Sequence, residues 1–520
     1  MKKIVMRSVR AALQLIPKTL KDKLKQNERL TGFYVRSVRK SGLFFDAPTP
    51  KQTQALYNHW LKVNESAFSD SITKIGEWQA VVFGIDNQGV TEENIKTLGV
   101  KTCLITGELA LGAIEKKISL LDDRLPTLLL NGGDLLESSA IYHLLKALKD
   151  NDLVYCDTDE LSSNGTKTSP RFLPSWNPEL QYSTGYINSG VIVKTSRLKS
   201  LHISNQTTIA EVIAELSLSI NDLMVNHMPL PLVHLSVTEN NEAKLLERVK
   251  MVIERHSTAT VELDEKFHVN RLCWPNTNPL VSLIIPTKNG KALVKACIES
   301  ILEKTAYLNY EILLIDNGSD EKESIEYFSY LDTLEKVRVL QYPAPFNYSA
   351  INNFGVEHAK GSILGLVNND IEVISPDWLT YMVGHVERES VGCVGAKLLY
   401  SDTRIQHAGV VLGYGGGAGH AHKNFPRFHS GYLKRIVATN NYSAVTAACL
   451  LVKRAHFNAV NGLNEKELSV AFNDVDFCLK VHTAGYRNLF TPWAELYHHE
   501  SISRGEEDTP EKIARFNKER

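Results

Sequence analysis

The sequence predicts an α/β protein built on mostly parallel sheets, on three observations. Short runs of β-branched residues alternate with amphipathic helical runs. Acidic and amide residues follow directly on several of these strands, where parallel sheets bind their ligands. The alternation also occurs twice, from about 45 to 248 and from about 278 to 505, in a chain of 520 residues, a length that suits about two to four domains.

In the first region Ala80–Phe83 and Pro126–Leu130 are strands, Ser138–Lys149 is a helix and Asp152–Tyr155 is a short strand. In the second, Leu280–Ile285 is a buried strand ending at Pro286. Lys291–Leu302 is helical, with Leu293, Ala296, Cys297 and Ile301 on one face. Ile312–Ile315 is the next strand, and Asp316-Asn317-Gly318-Ser319 is a turn. Val337–Leu340 is a third strand, Ser349–Ala359 a helix and Ile363–Val367 a fourth strand, followed by Asn368-Asn369-Asp370.

The two regions look related. Asn131-Gly132-Gly133-Asp134 parallels Asn368-Asn369-Asp370, Asn221-Asp222-Leu223 parallels the run from Asp474 to Phe477, and Val233-His234 parallels Tyr497-His498. The preserved order predicts a duplication. The chain then divides into a basic segment (1–44), a first domain (45–248), a connector (249–277) and a second domain (278–520). The connector holds a helix to about Arg255 and a strand pair across Val261–Leu272.

Composition narrows the function classes. With 43% hydrophobic and 22% charged residues, the chain has an ordinary globular balance and material for a real core. A net charge of −1 argues against a nucleic-acid partner held by whole-protein charge. Seven singly scattered cysteines predict neither a disulfide framework nor a thiolate zinc site, and point to a reducing, cytoplasmic setting. No run of 18 apolar residues is present. Up to residue 40 there are twelve basic and two acidic residues, and Arg7 and Arg10 interrupt any signal-peptide core. Two readings of this segment stay open: peripheral contact with an anionic membrane, at the inner face of the cytoplasmic membrane, or a solvated helix packed on its own domain.

The second domain carries the chemistry. The loop Pro286-Thr287-Lys288-Asn289 offers hydroxyl and amide groups. Asp316 offers a carboxylate to a base N–H or a ribose hydroxyl. Asn368-Asn369-Asp370 offers oxygen ligands for a hard divalent cation bridging phosphates. Each alone is an ordinary polar strand cap; the three in order suit a nucleotide diphosphate with a metal. Gly413-Tyr414-Gly415-Gly416-Gly417-Ala418-Gly419 does not fit a dinucleotide loop and leads into His420-Ala421-His422 rather than a helix. A loop near the acceptor is the better reading of those histidines than a metal pair.

The runs VSLIIPTKNG, YEILLIDNGSD and PFNYSAINNFGVEHAKGSILGLVNNDIEVISPDWL resemble the nucleotide-sugar half of family 2 glycosyltransferases. QHAGVVLG, GYGGGAGH, SAVTAACLL, NGLNE, AFNDVDFCLKVHTAGYR and ELYHHESISRG resemble the acceptor half. The subgroup they most resemble is the bacterial rhamnosyltransferase-like enzymes of O-antigen and surface-polysaccharide assembly. The resemblance is close over about 278–515 and weak over 45–248.

It implies a GT-A fold, an inverting transfer from a nucleotide-sugar donor to a glycan or lipid-linked glycan acceptor, and Mn²⁺ or Mg²⁺ as cofactor. Pro286 and Thr287 match the loop at the nucleotide base, Asp316 the acid at base or ribose, and Asn353 a donor-site asparagine. Asn368, Asn369 and Asp370 match the DXD element, whose last acid binds metal; Asn368 in place of the first acid weakens a ribose or metal contact. His498 matches a histidine completing the metal or diphosphate site, ahead of His499. Asp474 matches the catalytic base, with Asp476 as the fallback. The first domain has no Pro-Thr loop after its first strand and reads as a degenerate copy; Asp157 and Asp159 match family positions without a clear role. The alternatives are a non-catalytic scaffold of a polysaccharide-assembly complex and a sugar nucleotidyltransferase. The first sits poorly with the intact acids, the second with the absence of a glycine-rich GxGTR-like opening.

Overall fold

The structure is a computed structural model that describes residues 2–17, 37, 50–69, 76–109, 113–162, 164–204, 206–236, 242–414, 417–499 and 519. Its strands are β1 (Gln79–Phe83), β2 (Thr102–Ile105), β3 (Pro126–Asn131), β4 (Leu135–Leu136), β5 (Leu153–Leu161), β6 (Lys167–Arg171), β7 (Val191–Lys194), β8 (Val225–Leu235), β9 (Thr260–Asp264) and β10 (Val269–Cys273). They continue with β11 (Val281–Thr287), β12 (Tyr310–Asp316), β13 (Val337–Gln341), β14 (Ile363–Val367), β15 (Ile371–Val373), β16 (Val391–Leu399), β17 (Ile405–His407), β18 (Val410–Leu412), β19 (Ala418–His420), β20 (Asn440–Asn441), β21 (Cys449–Lys453) and β22 (Arg487–His498).

Among the described residues the first unit forms a sheet in the order β2-β1-β3-β7-β5-β8-β4, with β6 on β5. The second forms β13-β12-β11-β14-β21-β16-β22-β15, with β17 on β16 and β20 on β22. Apart from β13 the two main paths have the same strand order, β2 corresponding to β12 through β4 to β15. The directions agree too. β7 and β21 run antiparallel to the strand before them, and β8 and β22 run parallel to β5 and β16. The duplication expected from short motifs is therefore present in the topology of both sheets.

Register tests the motif pairs individually. His234 pairs with Leu135 and His498 pairs with Ile371, each the first residue of a short strand directly after Asp134 or Asp370. These two correspondences hold. The third is corrected: Asn221-Asp222 lies in the turn after the helix Ile209–Ser219, whereas Asp474 stands in the first turn of the helix Asn473–Thr483. The first-unit counterpart of that helix start is Ala210-Glu211. Glu211 is already engaged there, in a capping box with Thr208 and an ion pair with Arg248 at 2.7 Å.

Two boundaries also move. β11 runs through Pro286 to Thr287 rather than ending before the proline. The proline is tolerated because the pairing of β11 with β14 stops at Ile284, so its missing N–H breaks no bond on that side. The helix Glu242–His256 crosses the expected boundary at 248 and packs on the first unit, while β9 and β10 form the expected antiparallel pair.

β11, β12, β14 and β16 are buried along their whole length, as sheets covered on both faces require. One buried cluster runs from Leu180 and Tyr186 of the first unit to Ile436, Val437 and Tyr442 of the second, so the units share a core. The helix Pro178–Thr184 makes the polar part of this contact. Asn177, at its N-cap, accepts from the Asn441 amide at 3.0 Å and donates to the Asn441 carbonyl at 3.2 Å, completing the outer edge of β20. Glu179, fully buried, lies 2.9 Å from Arg388 and 3.5 Å from Arg487. Burial acts to raise its carboxyl, but the two guanidinium groups outweigh burial and bring it down to about 2.

Candidate active site

The strands of the second unit deliver the predicted residues to one rim. Thr287 and Asp316 are register partners at the ends of β11 and β12. Asp316 Oδ1 accepts from the Ser319 amide at 2.9 Å and hydroxyl at 2.6 Å, which fixes the turn after it. Beyond β14, Asn369 donates to the Thr287 hydroxyl at 2.9 Å. Asp370 follows, buried, and the pairing of β15 with β22 brings His498 Nε2 to 3.1 Å from Asp370 Oδ1. Asn368 Nδ2 lies 3.2 Å from the same imidazole nitrogen.

Asp370 and His498 fit a divalent cation. Two adjacent ligands of one octahedral ion, at metal–ligand distances of about 2.0–2.1 Å, stand about 3 Å apart, close to the separation found here. Among the described residues no group of three or more His, Cys, Asp or Glu side chains is arranged to hold a metal ion. The remaining ligands would have to come from a bound diphosphate and water.

Asp474 is half-buried, with Oδ2 accepting from the Ala447 amide at 3.2 Å and Oδ1 from the Val475 amide at 2.9 Å. Phe472, two residues earlier, has φ +56°, a left-handed turn uncommon for an aromatic residue and of the kind that collects at functional sites. Asp476 instead pairs with Lys480 at 3.0 Å, one helical turn on. The His499 imidazole contacts Ser401 at 2.8 Å and Glu372 at 3.4 Å rather than the Asp370 carboxylate, although its amide donates to the Asp370 carbonyl at 2.9 Å.

Tyr348 was not singled out from sequence, where the helix starts one residue later. It opens the helix Tyr348–His358, which lies so close on β11 that a Cβ on Gly355 would meet Ile284 at 2.5 Å. Its buried hydroxyl lies 3.2 Å from Asn368 Oδ1 and 3.1 Å from the Ala447 carbonyl. A continuous polar path therefore joins Asp474, Ala447, Tyr348, Asn368, His498 and Asp370. The one legible signal was Asn347, an N-cap that accepts from the Ala350 amide at 3.0 Å and sets Tyr348 in the first turn.

Two predicted donor residues are occupied elsewhere. Asn289, at φ +55°, donates to Asp320 at 2.7 Å and accepts from the Asp320 and Glu321 amides, so it ties two loops together. Asn353 donates to the Leu463 carbonyl and accepts from the Leu463 amide, both at 3.0 Å, which anchors the NGLNE loop. Neither amide is presented to the Asp370 cluster. His420 and His422 part company: His420 meets the Gln406 carbonyl at 2.9 Å, and His422 packs edge-on against Phe425. Residues 415–416 of the glycine-rich run lie outside the described residues.

At the equivalent rim of the first unit the acid and the histidine are separated. Asp134 accepts from the Ser236 amide at 3.0 Å, the Asn131 amide at 3.1 Å and the Ser189 hydroxyl. His234 is held instead between Asp159 and Glu137. Tyr57, from the helix Pro50–Val63, donates to Asp159 and so lies over that histidine's partner.

The profile described as "Glycosyl transferase family 2" matches residues 282–457. An uncharacterized protein, y4gI, of Sinorhizobium fredii is 43% identical over 413 residues, covering 75% of this chain and 45% of its own length. The O-antigen biosynthesis protein RfbC of Myxococcus xanthus is 31% identical over 379 residues, covering 69% of this chain and 29% of its own length. The chain thus spans less than half the length of these two relatives. A solved structure of GalNAc-T7 with UDP, GalNAc and Mn²⁺ matches at 16% identity and a TM-score of 0.40, over 54% of this chain and 56% of that one. The second sheet-bearing unit of this chain thus carries a family 2 glycosyltransferase domain over residues 282–457, and the chain is similar in sequence to a protein of bacterial O-antigen biosynthesis.

Proposed function

We propose that the chain is a metal-dependent, inverting glycosyltransferase that moves a sugar from a nucleotide donor to a glycan, lipid-linked at the inner face of the cytoplasmic membrane. The observation that supports this reading is the polar path that links Asp474, through Ala447, Tyr348 and Asn368, to the Asp370–His498 pair. The relationship to RfbC supports O-antigen or surface-polysaccharide synthesis as the setting.

In this reading Asp474 takes the proton of an acceptor hydroxyl. The oxygen attacks the anomeric carbon opposite the diphosphate, the bond to the diphosphate oxygen breaks, and its electron pair leaves with the nucleoside diphosphate. Configuration inverts in one step, with no enzyme–sugar intermediate. Thr287 and Asp316 hold the nucleoside side of the donor, and Asn368 and Asn369 the side toward the diphosphate. A divalent cation held by Asp370 and His498 would offset the charge of the leaving group. The first unit, whose acid and histidine are turned apart, is a degenerate copy that no longer takes donor and instead braces the acceptor half through Asn177 and Glu179.

Calorimetry with nucleoside diphosphates and Mn²⁺ tests the reading. Binding should need the metal and should weaken in Asp370→Ala. Equal affinity in the variant and in excess chelator would leave no role for this pair and would favour the scaffold reading.

A further inference from the structure

The helix Lys2–Gln14 contains four basic residues and no acidic one. Val5, Met6, Val9, Ala12 and Leu13 recur at the spacing of one helical face, and Lys3, Arg7 and Arg10 recur along its flank. The body of the protein leaves part of this face open: Val5 is 57% and Val9 39% exposed, whereas Met6 and Leu13 are half-buried, and Ile4, outside this face, is 69% exposed. A helix of 13 residues with three β-branched apolar side chains in water is marginal by itself. Of the two readings left open by the sequence, the exposure of Val5 and Val9 favours contact with a membrane surface.

We infer that the helix Lys2–Gln14 is an interfacial anchor that lies on an anionic lipid surface, with its valines in the acyl boundary and its basic flank among the headgroups. Charge complementarity selects this occupant. A nucleic-acid partner would use the basic flank and leave Val5 and Val9 in water, whereas a lipid interface takes up both at once. The helix Lys2–Gln14, at 13 residues, is itself too short to span a bilayer, so the contact inferred for it is interfacial. The inference does not rest on the glycosyl-transfer reading.

The test is sedimentation of the full chain with phosphatidylcholine vesicles, with and without phosphatidylglycerol, at low and high salt. Two variants are compared with wild type, Val5→Asp/Val9→Asp and Arg7→Glu/Arg10→Glu, each checked for an unchanged unfolding transition of the body. Wild type should bind the anionic vesicles, release at high salt, and bind neutral vesicles weakly; each variant should lose about tenfold in partitioning or more. Equal partitioning of wild type and variants, equal binding to neutral vesicles, or no binding by wild type would each overturn the inference. Nucleotide binding should be the same in all three proteins, which separates a failure here from a failure of the catalytic reading.

Discussion

Asp474 Oδ2 accepts a hydrogen bond from the Ala447 amide at 3.2 Å. The bond fixes the candidate base against the segment that leads into β21, and the carbonyl of the same residue faces Tyr348 on the other side. The backbone of this one residue thus touches both the acceptor-side carboxylate and the donor-side network.

Asp474→Asn keeps the shape and the Ala447 contact but cannot take a proton. Transfer should fall by about a hundredfold to ten-thousandfold, with nucleoside diphosphate affinity unchanged. Rapid-quench turnover beside calorimetry measures both, and near-normal turnover would move the base elsewhere. Asp476, held by Lys480, is then the residue to test.

Tyr348→Phe removes the hydroxyl between Asn368 and Ala447 without removing the ring. Asn368 Oδ1 and the Ala447 carbonyl share this one hydroxyl proton, and its loss costs about 1–3 kcal/mol. The expected outcome is a kcat lower by about tenfold, with KM for the donor changed much less. Wild-type kcat in this variant would reduce Tyr348 to a packing residue.

Glu179→Gln tests the clasp between the units. The carboxyl stands at about 2 against an ordinary 4.5, a difference worth about 3 kcal/mol. A lowered acid stabilises the fold at pH above its unfolded value, and that stability is lost as pH falls through its folded value. The variant should therefore be less stable than wild type at neutral pH, and the gap in denaturant midpoint should close between about pH 4.5 and about pH 2. A gap independent of pH would show that lost packing, not charge, is responsible.

Asp134→Asn should leave donor binding untouched. Its acid already accepts four hydrogen bonds within the first unit, and the equivalent histidine is turned away from it. Calorimetric stoichiometry should stay at one nucleotide per chain in wild type and variant. A second binding event abolished by the substitution would restore the first unit as a donor site.

Much of the second unit was legible in sequence because its signals are local. Runs such as Ile363–Val367 declare buried strands by their apolar continuity, and the acids that follow them fall at the strand ends. His498 was legible only through the resemblance, since 128 residues separate it from Asp370; β15 pairing with β22 closes that distance. Tyr348 was missed because its neighbour Asn347 marks only a helix start and says nothing of what the tyrosine touches. Its role comes from contacts with Asn368 and Ala447, which belong to other strands. Asn289 and Asn353 show the opposite case, in which the motif gives the residue and the fold spends its amide on a loop.

By itself, then, the sequence determined the α/β class, the second unit's strand-end acids, and the charge and spacing of the N-terminal helix, because periodicity and strand ends are properties of neighbouring residues. Tertiary structure alone decided which side chains meet. It set His498 against Asp370 but turned His234 away from Asp134, although the register of the two strand pairs is the same. The physical reason lies in what surrounds each acid. In the first unit Ser189 and Ser236 supply hydrogen-bond donors to Asp134, and Asp159 and Glu137 draw the histidine to themselves. In the second unit the strand pairing leaves the imidazole and the carboxylate facing each other.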